Sequence, residues 1–263
     1  MVKELPGIEP FLKDWLFPKT GILSLGVKDL KTGGEFYHSP DLELPAASII
    51  KIPLVIELFR QVQQGKLSLN EKLVLNETDK YLGAGVLRFM EEGKEFSLEE
   101  LALLTMIVSD NTATNLLINR VGMRNVNRFI KSLGFTHTRL KRRMMVHPRG
   151  NRVENFIASR EITHLLYQLV KGKLVNPVYT RRILEFFNQQ QFQEKIPRYL
   201  PVEAGNKTGE ITGIRHDAAI VHFKTRPYVL SIFTQGFPSG PEADDWIART
   251  SLAVFKYFWE RKS

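Results

Sequence analysis

Strand-forming patterns stand at the two ends of this chain and helical patterns fill the stretch between them, an order that constrains the fold more than any other feature. Near the N-terminus, Ile22 to Val27 is an apolar run, Lys31-Thr32-Gly33-Gly34 supplies turn chemistry and Glu35 to His38 alternates. Together they predict a β-hairpin with a longer loop. After Pro201 strand patterns return at Val202 to Lys207, Ala218 to Phe223 and Tyr228 to Thr234, with Lys224 to Pro227 as a turn. Between Gly65 and about Arg198 the apolar spacing is mostly helical, with a capping-box signature at Ser97-Leu98-Glu99-Glu100. The expected class is therefore α/β (α+β): one antiparallel sheet made by both ends of the chain, terminal helices at Ile8 to Leu16 and Asp244 to Trp259 packed on a face, and an inserted all-helical subdomain. The predicted division is a discontinuous sheet subdomain, residues 1–64 and 199–263, and a helical subdomain, residues 65–198.

A length of 263 residues with 43% hydrophobic content suffices for a full core. Every apolar run, Leu101 to Val108 included, is too short for a membrane span. Met1 to Lys19 lacks the order of basic, apolar and small residues that marks a secretory signal. The expectation is a cytoplasmic location for the chain as it stands, and an extracytoplasmic one for a chain whose signal had been removed. With no cysteine there is no disulfide, thiolate nucleophile or cysteine metal site. A formal charge of +9 raises nucleic acid as a partner, and the densest basic stretch, Arg139 to Arg152, contains Arg142, Arg143, Arg149 and Arg152. No aromatic is interleaved there to stack bases, so a solvated basic face is expected and no nucleic-acid partner. A monomer is expected.

Chemistry concentrates in three short motifs. Ser48-Ile49-Ile50-Lys51 is the only Ser-x-x-Lys in the chain, and the apolar residues Ile49, Ile52, Val55, Ile56 and Phe59 put it at the start of a buried helix. Pro53 cannot coexist with a regular carbonyl four residues earlier, so the first turn should be tightened or irregular. Residues three apart share a helix face, which brings the Lys51 amine to the Ser48 hydroxyl. A desolvated lysine near another cation has a lowered pKa and can take the serine proton. Ser109-Asp110-Asn111 falls on a connection between two helices, where Ser109 suits a proton relay, Asn111 suits holding Lys51 and a substrate amide, and an ordinary helix cap is the alternative. Lys-Thr-Gly occurs at Lys19, Lys31 and Lys207. The first two sit in turns, whereas Lys207-Thr208-Gly209 ends a strand where a substrate carboxylate and an extended substrate backbone could lie, with Gly209 allowing close approach.

In that order, Ser-x-x-Lys, Ser-Asp-Asn and Lys-Thr-Gly resemble the signature of class A β-lactamases and penicillin-binding proteins. The likeness spans nearly the whole chain and implies the β-lactamase/transpeptidase-like fold. By position it implies that Ser48 forms the acyl-enzyme, Lys51 assists as base, Ser109 donates to the lactam nitrogen and Asn111 orients the substrate. Lys207 and Thr208 would bind the substrate carboxylate, and the backbone N–H groups of Ser48 and Glu210 would form the oxyanion hole. No metal or organic cofactor is implied.

The chain departs from that family at the loop after Ser-Asp-Asn. Class A enzymes carry there a Glu-x-x-x-Asn pattern whose glutamate activates the deacylating water. Here the one carboxylate between Asp110 and Glu161 is Glu154, followed directly by Asn155. It is read either as the catalytic base or as a loop brace, with His147 a weaker candidate base. Arg215 and His216 are read either as added positive charge for a substrate carboxylate or as surface residues, and Asp217 as structural. Three functions follow: a serine β-lactamase in which deacylation can be slow; a penicillin-binding esterase or D-alanyl peptidase with the same nucleophile; and, in last place, a noncatalytic binding module.

Overall fold

The computed structural model describes residues 4–146 and 153–261. In chain order the elements are α1 (Glu9–Leu12), β1 (Ile22–Asp29), β2 (Glu35–His38), β3 (Leu44–Pro45), α2 (Lys51–Gln63), β4 (Lys72–Val74), β5 (Glu95–Ser97), α3 (Leu98–Ile107), α4 (Asn111–Val121), α5 (Met123–Ser132), β6 (Phe156–Ile157), α6 (Ser159–Val170), α7 (Pro177–Asn188), β7 (Ala204–Ile211), β8 (Ile214–Val221), β9 (Tyr228–Gln235) and α8 (Gly240–Glu260). Strands from the two ends do join: the sheet runs β2-β1-β9-β8-β7, and every neighbouring pair is antiparallel. This closes the two ends of the chain into one ladder, with Ile22 paired to Gln235 and Asp29 to Tyr228.

The sheet is buried on both faces, which is why its central strands read as nearly continuous apolar runs. Period-two alternation divides them. Leu23, Leu25 and Val27 of β1 with Leu230 and Ile232 of β9 pack on α8 through Ile247, Val254 and Phe258. Ala218 and Ile220 of β8 with Val229 and Phe233 of β9 face the helices on the other side. There α2 is central, packing against α3, α4, α5 and α7. By packing, α2 therefore sits with the helical half, although the expected boundary at residue 64 grouped it with the sheet.

Three expected elements differ in extent. The first helix is only Glu9–Leu12, because the chain tightens into turns in which Trp15 and Leu16 both donate to the Leu12 carbonyl, at 2.8 and 3.0 Å. Leu12 and Leu16 are nevertheless buried as their spacing implied. β7 continues to Ile211, so Lys207-Thr208-Gly209 lies inside the strand and not at its end; the turn comes later, at Thr212-Gly213, where Gly213 has φ +74°. β8 begins at Ile214 and includes Arg215, His216 and Asp217, polar residues that masked its start. The capping box at the start of α3 is formed: Ser97 Oγ accepts from the Glu100 N–H at 3.2 Å and the Glu100 carboxylate accepts from the Ser97 N–H at 2.7 Å.

Because α2 carries the Ser-x-x-Lys segment into the core, its packing sets the stability of everything around it. Ile56, fully buried in α2, should cost about 2–5 kcal/mol when replaced by alanine. Urea unfolding of Ile56→Ala against the parent chain measures this.

Candidate active site

Ser48 sits in a single 3₁₀ turn, Ala47–Ile50, that leads directly into α2. Pro53 explains the tightening, since its ring excludes a regular helical carbonyl at Ile49. The turn is held at both ends: Ala46 N–H donates to the Asn155 carbonyl at 2.7 Å and Ile49 N–H to the Ala46 carbonyl at 3.0 Å. Ala47, just before the serine, has φ +44°. A non-glycine residue in that region is strained, and such strain persists only where the surroundings over-determine the backbone. Ser48 itself is half-buried and opens on a cavity of about 350 Å³.

Lys51, the first residue of α2, has no exposed surface, and its Nζ meets Ser109 O at 2.7 Å, Asn111 Oδ1 at 3.0 Å and Ser109 Oγ at 3.1 Å. Burial holds its pKa well below that of an ordinary lysine, and the nearby Lys207 ammonium pushes the same way. A neutral amine has two N–H donors. The Ser109 carbonyl and the Asn111 amide oxygen can take them, which leaves the lone pair for a hydroxyl proton. Ser109 is the second positive-φ residue of the site, at +55°, and that conformation turns its carbonyl and hydroxyl toward the lysine.

The middle residue of the triplet does the capping. Asp110 Oδ1 accepts from Ala113 N–H at 2.9 Å at the start of α4, while Oδ2 accepts from Val86 and Leu87 N–H at 2.6 and 2.7 Å. The triplet thus divides its contacts: Asp110 caps α4, while Ser109 and Asn111 meet Lys51. Asn111 Nδ2 donates to the Leu82 carbonyl at 3.0 Å, so the segment that brings Ala84 to the cavity is fastened to the site from both Asp110 and Asn111.

Lys207, also fully buried, reaches the same hydroxyl from the sheet: its Nζ lies 3.1 Å from Ser109 Oγ and 2.9 Å from the Thr208 carbonyl. Burial lowers its pKa to about 7. The cavity wall thus draws on all three motifs through Ser48, Ser109 and Thr208, with Glu210 beside them. β7 is the edge strand of the sheet and its free side lies against the Ser48 turn. A Cβ at Gly209 would stand 3.2 Å from the Ser48 nitrogen and 3.0 Å from Ile49 Cγ1, so the missing side chain lets strand and turn approach.

Residues 9–258 match the model of the β-lactamase enzyme family. The chain belongs to that family. It is 25% identical over 218 residues to β-lactamase BRO-1 of Moraxella catarrhalis, covering 80% of this chain and 69% of that protein. A crystal structure of a β-lactamase from Sphaerobacter thermophilus superposes with a TM-score of 0.90 at 30% identity, over 98% of each chain. A D-alanyl-D-alanine endopeptidase of Escherichia coli (strain K12) is 28% identical over 172 residues, 63% of this chain and 53% of that one. The chain is a class A β-lactamase-like serine hydrolase.

Within this family member the less certain expectations fare unequally. Glu154 is bound by Arg142, whose Nη2 and Nε lie at 2.7 and 3.0 Å from Oε1, and also accepts from Asn155 N–H at 3.0 Å. It is not among the residues that line the cavity. Asn155, held with it, accepts from Lys141 and Arg142 N–H and supports Ala46, so these contacts tie the loop together. His147, Arg149 and Arg152 lie outside the described residues. His216 corrects the expectation of added positive charge. It has no exposed surface, burial pushes its pKa to about 4, and Nε2 faces the Pro45 carbonyl at 2.9 Å, so it is a neutral strut between β8 and the segment before Ser48. Arg215 spends Nη1 on the Ile211 and Ile214 carbonyls, and its Nε lies between Glu210 and Asp244 at 3.9 and 3.6 Å. It is half-buried, not a free surface charge. Asp217 is structural as expected, accepting from Ile196 N–H and Asn206 Nδ2.

Four other residues on the cavity wall, Ala84, Phe192, Glu194 and Asp244, carried no motif. The available signal was weak: a polar run from Asn188 to Gln193 ahead of the strands, which the fold bolts down through Gln190, a donor to the Met106 carbonyl at 2.8 Å. The close approach at Gly209 has a direct consequence. Gly209→Ala should separate strand from turn and lower acylation by roughly 10²-fold, the scale of a 1 Å misplacement. Burst kinetics on folded protein check it.

Proposed function

We propose that Ser48 opens the β-lactam amide and carries the acyl group, and that the other motif residues act on the atoms around it. The carrying observation is the Ser109 hydroxyl, placed on the Ser48 cavity and touched by both buried lysines at 3.1 Å. Ser48 Oγ attacks the carbonyl carbon as its proton passes to the Lys51 amine. The oxyanion is held by the backbone N–H groups of Ser48 and Glu210. As the carbon–nitrogen bond breaks, the ring nitrogen takes the Ser109 hydroxyl proton, which Lys51 restores. Thr208 and Lys207 receive the substrate carboxylate and Asn111 orients its amide. Water then releases the opened product and returns Ser48. The protein acts as a monomer.

Nitrocefin hydrolysis and intact-mass labelling with penicillin test this reading. The parent chain should gain the mass of one penicillin and Ser48→Ala should gain none, with hydrolysis reduced to background; labelling that survives Ser48→Ala would sink the proposal. The acylation rate should also depend on pH with a definite sign. A base of lowered pKa is protonated, and so inactive, only at low pH. The rate should therefore rise as pH increases through the depressed Lys51 pKa and then level, well before the range of a free lysine.

A second reading, a penicillin-binding peptidase or esterase, is favoured by one observation: the Arg142–Glu154 pair leaves the loop without a free carboxylate at the cavity. The likeness to an endopeptidase supports it as well. Time-resolved mass spectrometry separates the two, because a lactamase clears its acyl-enzyme and a trap retains it. In either case Glu154→Gln should change the release rate less than about threefold, since a loop brace takes no part in moving the water proton. Release slowed by about 10²-fold would make Glu154 the base after all.

A further inference from the structure

Among the described residues three lysines lose all exposed surface: Lys51, Lys207 and Lys195. Burying an ammonium is unfavourable unless something compensates it. The first two belong to the motifs above, and the third belongs to none. Lys195 lies in the connection between α7 and β7, which is fastened on both sides of it: Asn206 Nδ2 of β7 donates to the Phe192 carbonyl at 3.1 Å, and Ile196 N–H donates to Asp217 Oδ2 of β8 at 3.0 Å. From this fixed base its Nζ makes a close hydrogen-bonded ion pair with the Glu210 carboxylate and lies 3.3 Å from Asp244 Oδ1 at the start of α8. Glu210 has no other partner this near, since Arg215 Nε stays 3.9 Å away.

Glu210 follows Gly209, at the point where β7 leaves the Ser48 turn. On one side β7 is paired to β8, with Glu210 opposite Arg215, and on the other it borders the cavity. Gly209 contributes no side chain to stiffen this stretch. We infer that Lys195 is a positioning residue for acyl transfer: by gripping the Glu210 carboxylate it fixes the aim of the N–H at residue 210, an inference that rests on the oxyanion role proposed for that group. Lys195 remains charged: burial pushes its pKa down, and the hydrogen bond to Glu210 together with the charges of Glu210, Asp217 and Asp244 more than offsets that effect. The grip is an ion pair whose lysine end is wholly shielded from water, which keeps it effective although the glutamate end is partly exposed.

The test uses the full chain and four variants: Lys195→Met, Lys195→Arg, Glu210→Gln and the double Lys195→Met/Glu210→Gln. Penicillin acylation is resolved into a binding constant and a first-order acylation constant, and hydrogen exchange is followed on a peptide spanning residues 208–211. Lys195→Met and Glu210→Gln should each slow the acylation constant about tenfold or more with binding little changed, the pattern of an interaction used in the transition state. Lys195→Arg should restore most of the rate, and the double variant should be no slower than the worse single one. The 208–211 amides should exchange faster in Lys195→Met. Glu210→Gln, which removes charge and keeps size, supplies the answer should Lys195→Met not fold. An acylation constant equal to the parent's in either folded single variant, losses that multiply in the double variant, or losses confined to binding would overturn the inference. Failure of the parent chain to acylate at all would count instead against the function proposed above, and the exchange comparison would still decide whether Lys195 fixes this segment.

Discussion

The arrangement depends on one hydroxyl shared by two buried amines. Ser109 lies between Lys51, from the first residue of α2, and Lys207, from the edge strand β7. Neither lysine could be buried without acceptors, and Ser109 supplies an oxygen to both while its carbonyl and Asn111 complete the shell of Lys51. Two ammonium groups at one oxygen repel each other. Desolvation lowers the proton affinity of both, and for Lys51 the charge of Lys207 adds to it, so the packing that buries these amines also gives Lys51 the lowered pKa that the proposed base role needs.

The same site explains where backbone strain is tolerated. Ala47 and Ser109 both have positive φ without being glycine; Ser109 lines the cavity and Ala47 directly precedes Ser48, which also lines it. Each is over-determined: the Ser48 turn by Asn155 and Pro53, the Ser109 bend by the Asp110 cap and the grip of Asp110 on Val86 and Leu87. The strain is carried by ordinary hydrogen bonds in the surrounding loops, which is how a rigid scaffold holds reactive side chains in place.

Much of this was legible in the sequence because local rules and global fold agree. The strands at both ends, the helical middle, the capping box at Ser97 and the tightened turn ahead of Pro53 follow from patterning and sterics alone. The three motifs were legible because chemistry fixes their residue types, and only the fold brings them to one cavity. What was not legible has identifiable causes. β7 is read as ending at Lys207 because Thr208, Gly209 and Glu210 are polar or turn-prone, and β8 as starting at Ala218 because Arg215, His216 and Asp217 are polar residues inside a strand, satisfied by partners that no local window contains. His216 looked like a charge because sequence does not reveal burial. Phe192, Glu194 and Asp244 carry no motif, since a cavity wall needs only shape, and shape comes from tertiary packing.

Acylation and release are separable in this molecule, and the structure distributes them unevenly. The residues to which acylation is assigned above lie within hydrogen-bonding reach of Ser109 or Lys51 or on the same cavity wall, built from α2, the α3–α4 connection and β7. In the proposed reaction, release needs one more group, a base for water, which class A enzymes carry on the loop that here lies between α5 and α6. There the one carboxylate, Glu154, is tied to Arg142 and to the N–H of Asn155, whose carbonyl supports Ala46. Freeing Glu154 to act on water would loosen the support of the nucleophile itself. On the reaction proposed above, such a chain holds Ser48 securely and leaves water activation without this carboxylate, so the balance between hydrolase and long-lived acyl-enzyme would be set in the loop and not in the three motifs.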